Sequence, residues 1–212
     1  GCTMLSIGFE SISRATLQSV HKHVNKPENF AALVEKIHSY GIIVFGLFMF
    51  GFDGDDTSVF DETVRFNRDS KYDACAYSVL TPYPGTLTWY EMKKANRIVS
   101  FDWEKYDQGH VVYRPARMSG DELRIGQSKT YENFYSMASI AGRFPLRGPR
   151  HRTQWLIYNM FMRRGSTTER IDSIAAPTLV PDTSPMPPIL PIKREWRAAV
   201  LEAAGEPGPR LS

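Results

Sequence analysis

The stretch from Gly41 to Asp56 reads GIIVFGLFMFGFDGDD and joins an apolar run to a turn rich in glycine and aspartate. The apolar part, Ile42 to Phe50, suits a strand and falls short of the roughly 20 residues that a membrane span needs. Because it lacks in/out alternation, we expect a strand buried on both faces, as in a parallel sheet covered by helices. The turn then lies at the C-terminal end of the strand, where parallel α/β folds bind ligands. A core strand that ends in a tight turn is the plainer interpretation.

The composition is that of an ordinary soluble protein. Of the 212 residues, 42% are hydrophobic and 23% are charged, which is typical of a globular domain. The net charge of +3 is small, so charge alone does not predict a nucleic-acid partner. Cys2 and Cys75 form no closely spaced pair, which favours a reducing compartment over secretion. Since we identify neither a signal peptide nor an apolar run of membrane-spanning length, we expect a cytoplasmic protein.

Strands and helices alternate along the first 96 residues. The predicted strands are residues 3–8, 42–50 and 74–80, and the predicted helices begin near residues 13, 28, 57 and 87. The repeat of roughly 35 residues is that of successive βαβ units, whose right-handed crossovers give a parallel sheet.

A different pattern begins after residue 96. Ser119, with Glu122 three residues on, is a capping-box signature that predicts a long helix to about Ala141;. A further apolar helix is expected at residues 153–164, and the chain then becomes proline-rich;. We therefore divide the chain into a barrel part, a mainly helical part, and a linker with a flexible tail. Their ranges are residues 1–96, 97–174 and 175–212.

The predicted fold class is α/β: a partial (half) βα barrel with parallel strands, followed by a mainly helical C-terminal region. The first strand, Thr3 to Gly8, has the pattern of a buried strand. Three βα units do not close a barrel, so this strand would present an unpaired apolar edge. Proteins rarely leave such an edge exposed. Either the chain is a fragment of a longer one, or another polypeptide covers the edge. We favour a fragment whose missing partner is the N-terminal half of the barrel.

Three turns that follow the predicted strands carry a resemblance to a known family. They are Gly8–Ser11 (GFES), Gly51–Asp56 (GFDGDD) and Leu80–Thr86 (LTPYPGT). In this order and spacing they resemble the second half of the radical S-adenosylmethionine barrel, most of all in the subgroup that carries a cobalamin-binding domain ahead of it. Residues 102–123 are similar to the segment that comes after the barrel in those proteins. The resemblance covers residues 1–140 and depends on the ordered set, since no single motif is strong.

The resemblance implies a binding site for S-adenosylmethionine at the strand ends. Glu10 matches the family's polar residue that holds the ribose or the amino group, and Ser11 lies beside it. A carboxylate can accept hydrogen bonds from both ribose hydroxyls or from the α-ammonium group. The plainer interpretation is that Glu10 is a first-turn residue favoured by the helix dipole.

Contacts with the adenine are implied for the next two strand ends. The matching residues are Gly46, Phe48, Met49 and Gly51 on one strand, and Leu80 to Pro82 after the next. The family's common glutamate is not at its expected place in the second turn, and Asp53 or Asp55 would have to replace it. For Leu80 to Pro82 a purely structural proline turn is the alternative.

The sequence departs from the family in its cysteines. The family holds a [4Fe-4S] cluster with three closely spaced cysteines, and Cys2 and Cys75 cannot form that set;. We therefore predict that this chain contributes no metal ligand and is inactive alone. The cluster ligands, and any cobalamin domain, would lie upstream of it. The parent enzyme would generate a 5′-deoxyadenosyl radical for hydrogen abstraction, methylation or cyclisation of a small organic or lipid-like substrate.

A basic segment suggests a function of another class. Arginines cluster after the long predicted helix, and aromatic residues follow them. The arginines considered for contact with an anionic surface are Arg143, Arg147, Arg150 and Arg152, with Arg163 and Arg164 further on. In this alternative the chain is a non-catalytic binding module that uses residues 143–164 for nucleic acid or acidic lipid head groups. A solvated loop beside a core helix is the plainer interpretation.

Overall fold

The computed structural model describes residues 1–20, 22–145 and 152–175. The chain divides into two compact units, residues 1–80 with 115–178 and residues 81–114 with 179–212. The predicted linker and tail, and the arginines at positions 147 and 150, lie outside the described residues. The predicted domain boundaries at residues 96 and 174 stay a prediction.

The first unit is built on a parallel sheet of three strands. The strands are β1 (Met4–Glu10), β2 (Ile43–Phe50) and β3 (Ala74–Val79), and β2 lies in the middle. Both pairs are parallel, with Leu5 beside Val44 and Phe48 beside Tyr77. The sheet does not close into a barrel, so the predicted α/β class and partial βα fold are confirmed.

Seven α-helices connect and follow the strands in the described residues. They are α1 (Arg14–Ser19), α2 (Phe30–Ser39), α3 (Ser58–Asp69), α4 (Leu87–Lys94), α5 (Gly120–Phe134), α6 (Met137–Arg143) and α7 (Arg152–Ala175). The capping box of Ser119 and Glu122 is present at the start of α5. The long helix expected to about Ala141 is instead two helices. Ser136 ends the first one, because its hydroxyl accepts the backbone N–H of Ser139 and caps α6;.

One face of the sheet is packed with aromatic side chains under α2 and α3. On this helix-covered face, Phe9 packs edge-on against Phe30 of α2 with ring centroids 4.7 Å apart, and Phe50 packs against Phe60 of α3 at 5.0 Å. Phe48 lies between these pairs and stacks on Phe9 at 5.7 Å. Such ring pairs add to the stabilisation that comes from burying their area.

The other face of the sheet is only partly covered. Successive side chains of a strand point to opposite faces, so the alternation of buried and half-buried residues along β2 separates the two faces. The open face carries Ser6 and Gly8 of β1, Phe45, Leu47 and Met49 of β2, and Ala76 and Ser78 of β3. The expectation that β2 is buried on both faces is therefore wrong for the face that points away from α2 and α3.

The outer edge of β3 is closed by side chains of the α5 region. The Tyr135 hydroxyl accepts the backbone N–H of Cys75 at 3.0 Å and donates to the Cys75 carbonyl at 2.7 Å. The Tyr131 hydroxyl accepts the N–H of Tyr77 at 2.9 Å, and Gln127 donates to the Tyr77 carbonyl at 2.7 Å. These side chains take the hydrogen bonds that a fourth strand would make.

The outer edge of β1 is different. Within the described residues β1 pairs with β2 alone, and its first residues, Met4 and Leu5, are 41% and 38% exposed. The first strand was expected to be buried, and this expectation is wrong because no helix or strand covers the edge in the described part of the chain. The open apolar edge itself was predicted.

Arg143, expected at an anionic surface, lies inside the first unit and is only 4% exposed. Its guanidinium donates to the carbonyl oxygens of Tyr72, Asp73 and Phe134 and to the side-chain oxygen of Asn159. It also lies 3.8 Å from the centroid of the Phe134 ring. This arrangement joins the turn before β3 to the ends of α5 and α6 and to α7, so Arg143 cannot contact a surface partner.

The second unit is described over residues 81–114. The Thr86 hydroxyl caps α4 by accepting the backbone N–H of Trp89. Trp89, Tyr106 and Val112 form a buried cluster, and an antiparallel bridge joins Ile98 to Tyr113. The helix predicted to begin near residue 87 is confirmed as α4.

Candidate functional site

Glu10, the last residue of β1, has an unusual backbone conformation. Its φ angle is +66°, a left-handed value that costs a residue other than glycine roughly 1–2 kcal/mol. A Cβ atom at Gly8 would lie 2.9 Å from Oε1 of Glu10, so the carboxylate folds back over the space left by the glycine. Lys22 pairs with the same oxygen at 3.2 Å. The glycine, the backbone and the lysine together hold the Glu10 carboxylate beside the open face of the sheet.

Ser11 is 4% exposed and belongs to the turn itself. Its hydroxyl accepts the backbone N–H of Ser13 at 3.0 Å, and Ser13 in turn caps α1. Asn25 fixes the other side of this turn by donating to the carbonyl oxygens of Gly8 and Phe9. The side chain of Ser11 therefore supports the position of Glu10.

The turn after β2 is built around the carboxylate of Asp55. Its Oδ2 accepts the backbone N–H groups of Gly51 and Phe52, both at 3.1 Å, and its Oδ1 accepts the hydroxyl of Thr16 at 3.3 Å. Thr16 is in α1, so Asp55 connects the turn after β2 to the helix that follows β1. Burial raises the pKa of Asp55 to about 6, although the hydrogen bonds from Phe52, Gly51 and Thr16 act against this rise;. Asp53, the other candidate of this turn, is exposed.

We expect the wild-type chain to lose stability relative to an Asp55→Asn variant as the pH rises from about 4 to about 7. In the folded chain the pKa of Asp55 is about 6, above its ordinary value of 3.8, so the folded state binds this proton more tightly than the unfolded state. That contribution is complete below the unfolded value and is lost as the pH rises through 6. Its size is on the order of 2–3 kcal/mol.

Urea unfolding of both proteins at several pH values measures this difference. Asparagine does not titrate, and it keeps one oxygen to accept a turn N–H group, which makes it the matched reference. A difference in unfolding free energy that stays constant over this range would contradict the raised pKa of Asp55.

The residues expected to contact adenine are divided between the two faces. Phe48 is 2% exposed on the helix-covered face, and a Cβ atom at Gly46 would lie 2.8 Å from the Tyr72 ring. The side chains of β2 that reach the open face near its C-terminal end are Leu47 and Met49, and both are half-buried. Of these two, sequence reasoning considered Met49 and missed Leu47. Side chains alternate between the two faces of β2, so both would have been identified from knowing which face the helices cover.

The remaining predicted residues lie at strand ends. Gly51 follows β2 with a φ angle of +96°, a value suited to glycine;. The backbone N–H of Leu80 donates to the Phe50 carbonyl at 2.9 Å, so Leu80 extends the pairing of β3 beyond its last strand residue. Pro82 belongs to the second unit.

Sequence reasoning missed Arg117, which lies beside the turn after β2. Its guanidinium donates to the Gly54 carbonyl at 2.9 Å and to the carboxylate of Asp56 at 3.0 Å. Hydrogen bonds from Ser58 and the charge of Arg117 lower the pKa of Asp56. No local sequence signal links Arg117 to this turn, because 61 residues separate it from Asp56.

Metal ligands are not grouped in the described part of the chain. It contains no group of three or more His, Cys, Asp or Glu side chains that could hold a metal ion. Burial raises the pKa of Cys75 to about 12, so this cysteine is a thiol, whereas an iron–sulfur cluster needs thiolates. Cys2 is exposed. The residues present therefore do not fit a [4Fe-4S] cluster, but they do offer a carboxylate and an apolar surface at the strand ends.

The chain is similar to known methyltransferases and to a cyclase. It is 35% identical over 164 residues to the bacteriochlorophyllide d C-12(1)-methyltransferase of Chlorobaculum tepidum. The aligned region covers 77% of this chain and 35% of that protein. It is 31% identical over 141 residues to the C-8(2)-methyltransferase of the same organism, over 66% of this chain and 31% of that one. The anaerobic magnesium-protoporphyrin IX monomethyl ester cyclase of Cereibacter sphaeroides is 26% identical over 157 residues, which are 74% of this chain and 25% of the cyclase. No family model matches the chain.

The matched region spans about a third of the length of the two methyltransferases. The relatives support the radical S-adenosylmethionine family that the three turns resemble, and they do not distinguish its cobalamin-binding subgroup. Within the described residues, no helix is both long and apolar enough to cross a membrane.

Proposed function

We propose that this chain is the C-terminal part of a radical S-adenosylmethionine enzyme that methylates or cyclises an organic substrate. The observation that carries the proposal is the position of Glu10. It ends a parallel strand beside an open sheet face, in a chain similar over three quarters of its length to a methyltransferase. Ligands of parallel α/β folds bind at these strand ends. Because two relatives are named for bacteriochlorophyllide d, a tetrapyrrole is the first substrate class to test.

The N-terminal half of the barrel would pair with the open edge of β1. That edge exposes Met4 and Leu5, whereas the edge of β3 is closed by Tyr131 and Tyr135. In the described part of the chain, β1 therefore has the sheet edge to which a further parallel strand can be added. The three cluster cysteines, and cobalamin if the enzyme uses it, would belong to the residues that complete the barrel on this side and to a domain ahead of them.

In the complete enzyme a [4Fe-4S] cluster held by residues other than those described would give one electron to S-adenosylmethionine. Reductive cleavage of this cofactor to methionine would supply a 5′-deoxyadenosyl radical for hydrogen abstraction. The residues of this chain bind and orient the cofactor. Glu10 would accept the ribose hydroxyls or the α-ammonium group, and Lys22 would hold its carboxylate in place. Leu47 and Met49 would offer an apolar surface to the adenine and exclude water from the open face. Gly51 and Leu80 would contribute backbone groups at the strand ends.

We expect a Glu10→Gln variant of the full-length enzyme to bind S-adenosylmethionine at least about tenfold more weakly, because a charge-assisted hydrogen bond contributes about 1.5–3 kcal/mol. The full-length protein would be obtained from the gene that includes the region upstream of the codon for Gly1, and reconstituted with iron and sulfide without oxygen. Equilibrium dialysis measures the affinity. Release of 5′-deoxyadenosine measures cofactor cleavage.

Glu28→Gln is the matched control, since Glu28 is another partly exposed glutamate paired with a basic side chain, Arg14, at 2.7 Å. Equal affinities of the two variants would remove Glu10 from the cofactor site. An upstream region without three closely spaced cysteines, or a reconstituted protein that releases no 5′-deoxyadenosine, would contradict the proposed function as a whole.

A further inference from the structure

Helix α7 turns an apolar surface to solvent. Its buried side is formed by Trp155 and Asn159, which are 2% and 1% exposed. On the opposite side four large apolar residues follow one another at helical spacing. They are Leu156, Ile157, Met160 and Phe161, with exposed fractions of 42%, 64%, 42% and 71%. We refer to these four residues as the α7 apolar stripe.

Basic side chains stand at both ends of the α7 apolar stripe. Arg152 begins the helix and Arg164 lies one turn after Phe161, and both residues are exposed. After the buried Arg143, the sequence from residue 144 to residue 165 contains five arginines and no aspartate or glutamate. An exposed apolar surface with basic ends and no acidic residue is complementary to an anionic surface that is apolar beneath its charges.

A second copy of the chain is a poorer occupant of this surface. Two identical helices packed antiparallel through the stripe would bring Arg152 of one chain close to Arg164 of the other. Like charges at such a contact destabilise it. An anionic partner instead gains from both arginines at the same time.

We propose that the α7 apolar stripe lies in the head-group region of an anionic lipid bilayer, with Arg152 and Arg164 at the lipid phosphates. An interfacial helix of this kind inserts its apolar side roughly 5–10 Å into the boundary between head groups and acyl chains. Phe161, the most exposed residue of the stripe, penetrates furthest. This surface is separate from the strand ends proposed to bind S-adenosylmethionine, because α7 packs through Tyr158 against Phe45, near the start of β2.

The test is flotation of the full chain with vesicles of phosphatidylglycerol and phosphatidylcholine, compared with vesicles of phosphatidylcholine alone. We expect binding to the anionic vesicles that falls steeply between about 0.05 and 0.5 M salt. A Phe161→Ser variant should bind about tenfold more weakly, because it removes an aromatic side chain from the apolar contact. Tyr40→Ser is the matched control: Tyr40 is 72% exposed, as Phe161 is 71% exposed, but it lies outside the stripe.

Three results would overturn the proposal. The first is that the wild-type chain does not float with anionic vesicles at low salt. The second is equal loss of binding in the Phe161 and Tyr40 variants, which would make the contact non-specific. The third is a dimer in analytical ultracentrifugation that Phe161→Ser dissociates, because a second copy would then occupy the stripe. Circular dichroism of each variant establishes that it is folded.

Discussion

Replacing Arg143 with methionine is expected to lower the free energy of unfolding of the chain by about 3–5 kcal/mol. The guanidinium donates five hydrogen bonds, to Tyr72, Asp73, Phe134, Ser139 and Asn159. Methionine fills much of the same volume but donates none of these bonds. The acceptors would remain buried without that donor, and each unsatisfied buried group costs roughly 1–3 kcal/mol.

Urea unfolding followed by circular dichroism measures the effect of the Arg143 substitution. Arg14→Met is the matched control, because the Arg14 side chain is 63% exposed and pairs with Glu28 at the surface; such pairs contribute roughly 0–1 kcal/mol. If Arg143→Met cost no more than Arg14→Met, the buried hydrogen bonds of Arg143 would not stabilise the first unit as described.

Gly126→Ala is expected to lower the free energy of unfolding by about 2–3 kcal/mol, although alanine is the better helix former by about 1 kcal/mol. Gly126 lies in the middle of α5 where this helix crosses α3. A Cβ atom there would overlap the ring of Phe60, so the two helices could not keep their present distance. The loss of close packing therefore exceeds the gain in helix propensity.

A double-mutant cycle isolates this clash. Phe60→Leu in the Gly126→Ala background should recover part of the lost stability, giving a coupling of at least about 1 kcal/mol. Gly142→Ala serves as the control, because a Cβ atom in that helix has no neighbour within 4 Å and should be neutral or slightly stabilising. Unchanged stability of Gly126→Ala would mean that the Phe60 ring moves aside without cost.

Local patterns were sufficient to predict much of the fold. The apolar run of β2, the glycines at its end and the capping box of Ser119 are short-range signals, and each corresponds to the predicted element. The break at Ser136 was missed because its hydroxyl competes with continuation of the helix, while Met137 and Ala138, which follow it, favour one;. The predicted burial of β1 was wrong because burial depends on which elements lie beside the strand, and the sequence of the strand itself does not carry that information.

The candidate site was harder to predict for the same reason. Glu10 was identified from a resemblance, but the glycine that accommodates its carboxylate became evident only in the folded chain. Gly46 and Phe48 were selected without knowledge of which face of the sheet α2 and α3 cover. Neighbouring residues of a strand point to opposite faces, so an error of one residue selects the wrong face. Arg143 was assigned to the surface because arginine is usually there. The groups that accept its hydrogen bonds include the Tyr72 carbonyl and the Asn159 side chain, which are distant from Arg143 in the sequence.

The unequal edges of the sheet also limit how copies of this chain can aggregate. Growth of a continuous intermolecular sheet needs two accepting edges on every molecule, as in a fibril. Here the hydroxyl groups of Tyr131 and Tyr135 occupy one edge. Among the residues that the structure describes, the edge at Met4 and Leu5 is the one left for pairing. Two chains joined through β1 would each have used that edge. Pairing through this sheet would therefore stop at a dimer and would not propagate into a fibre.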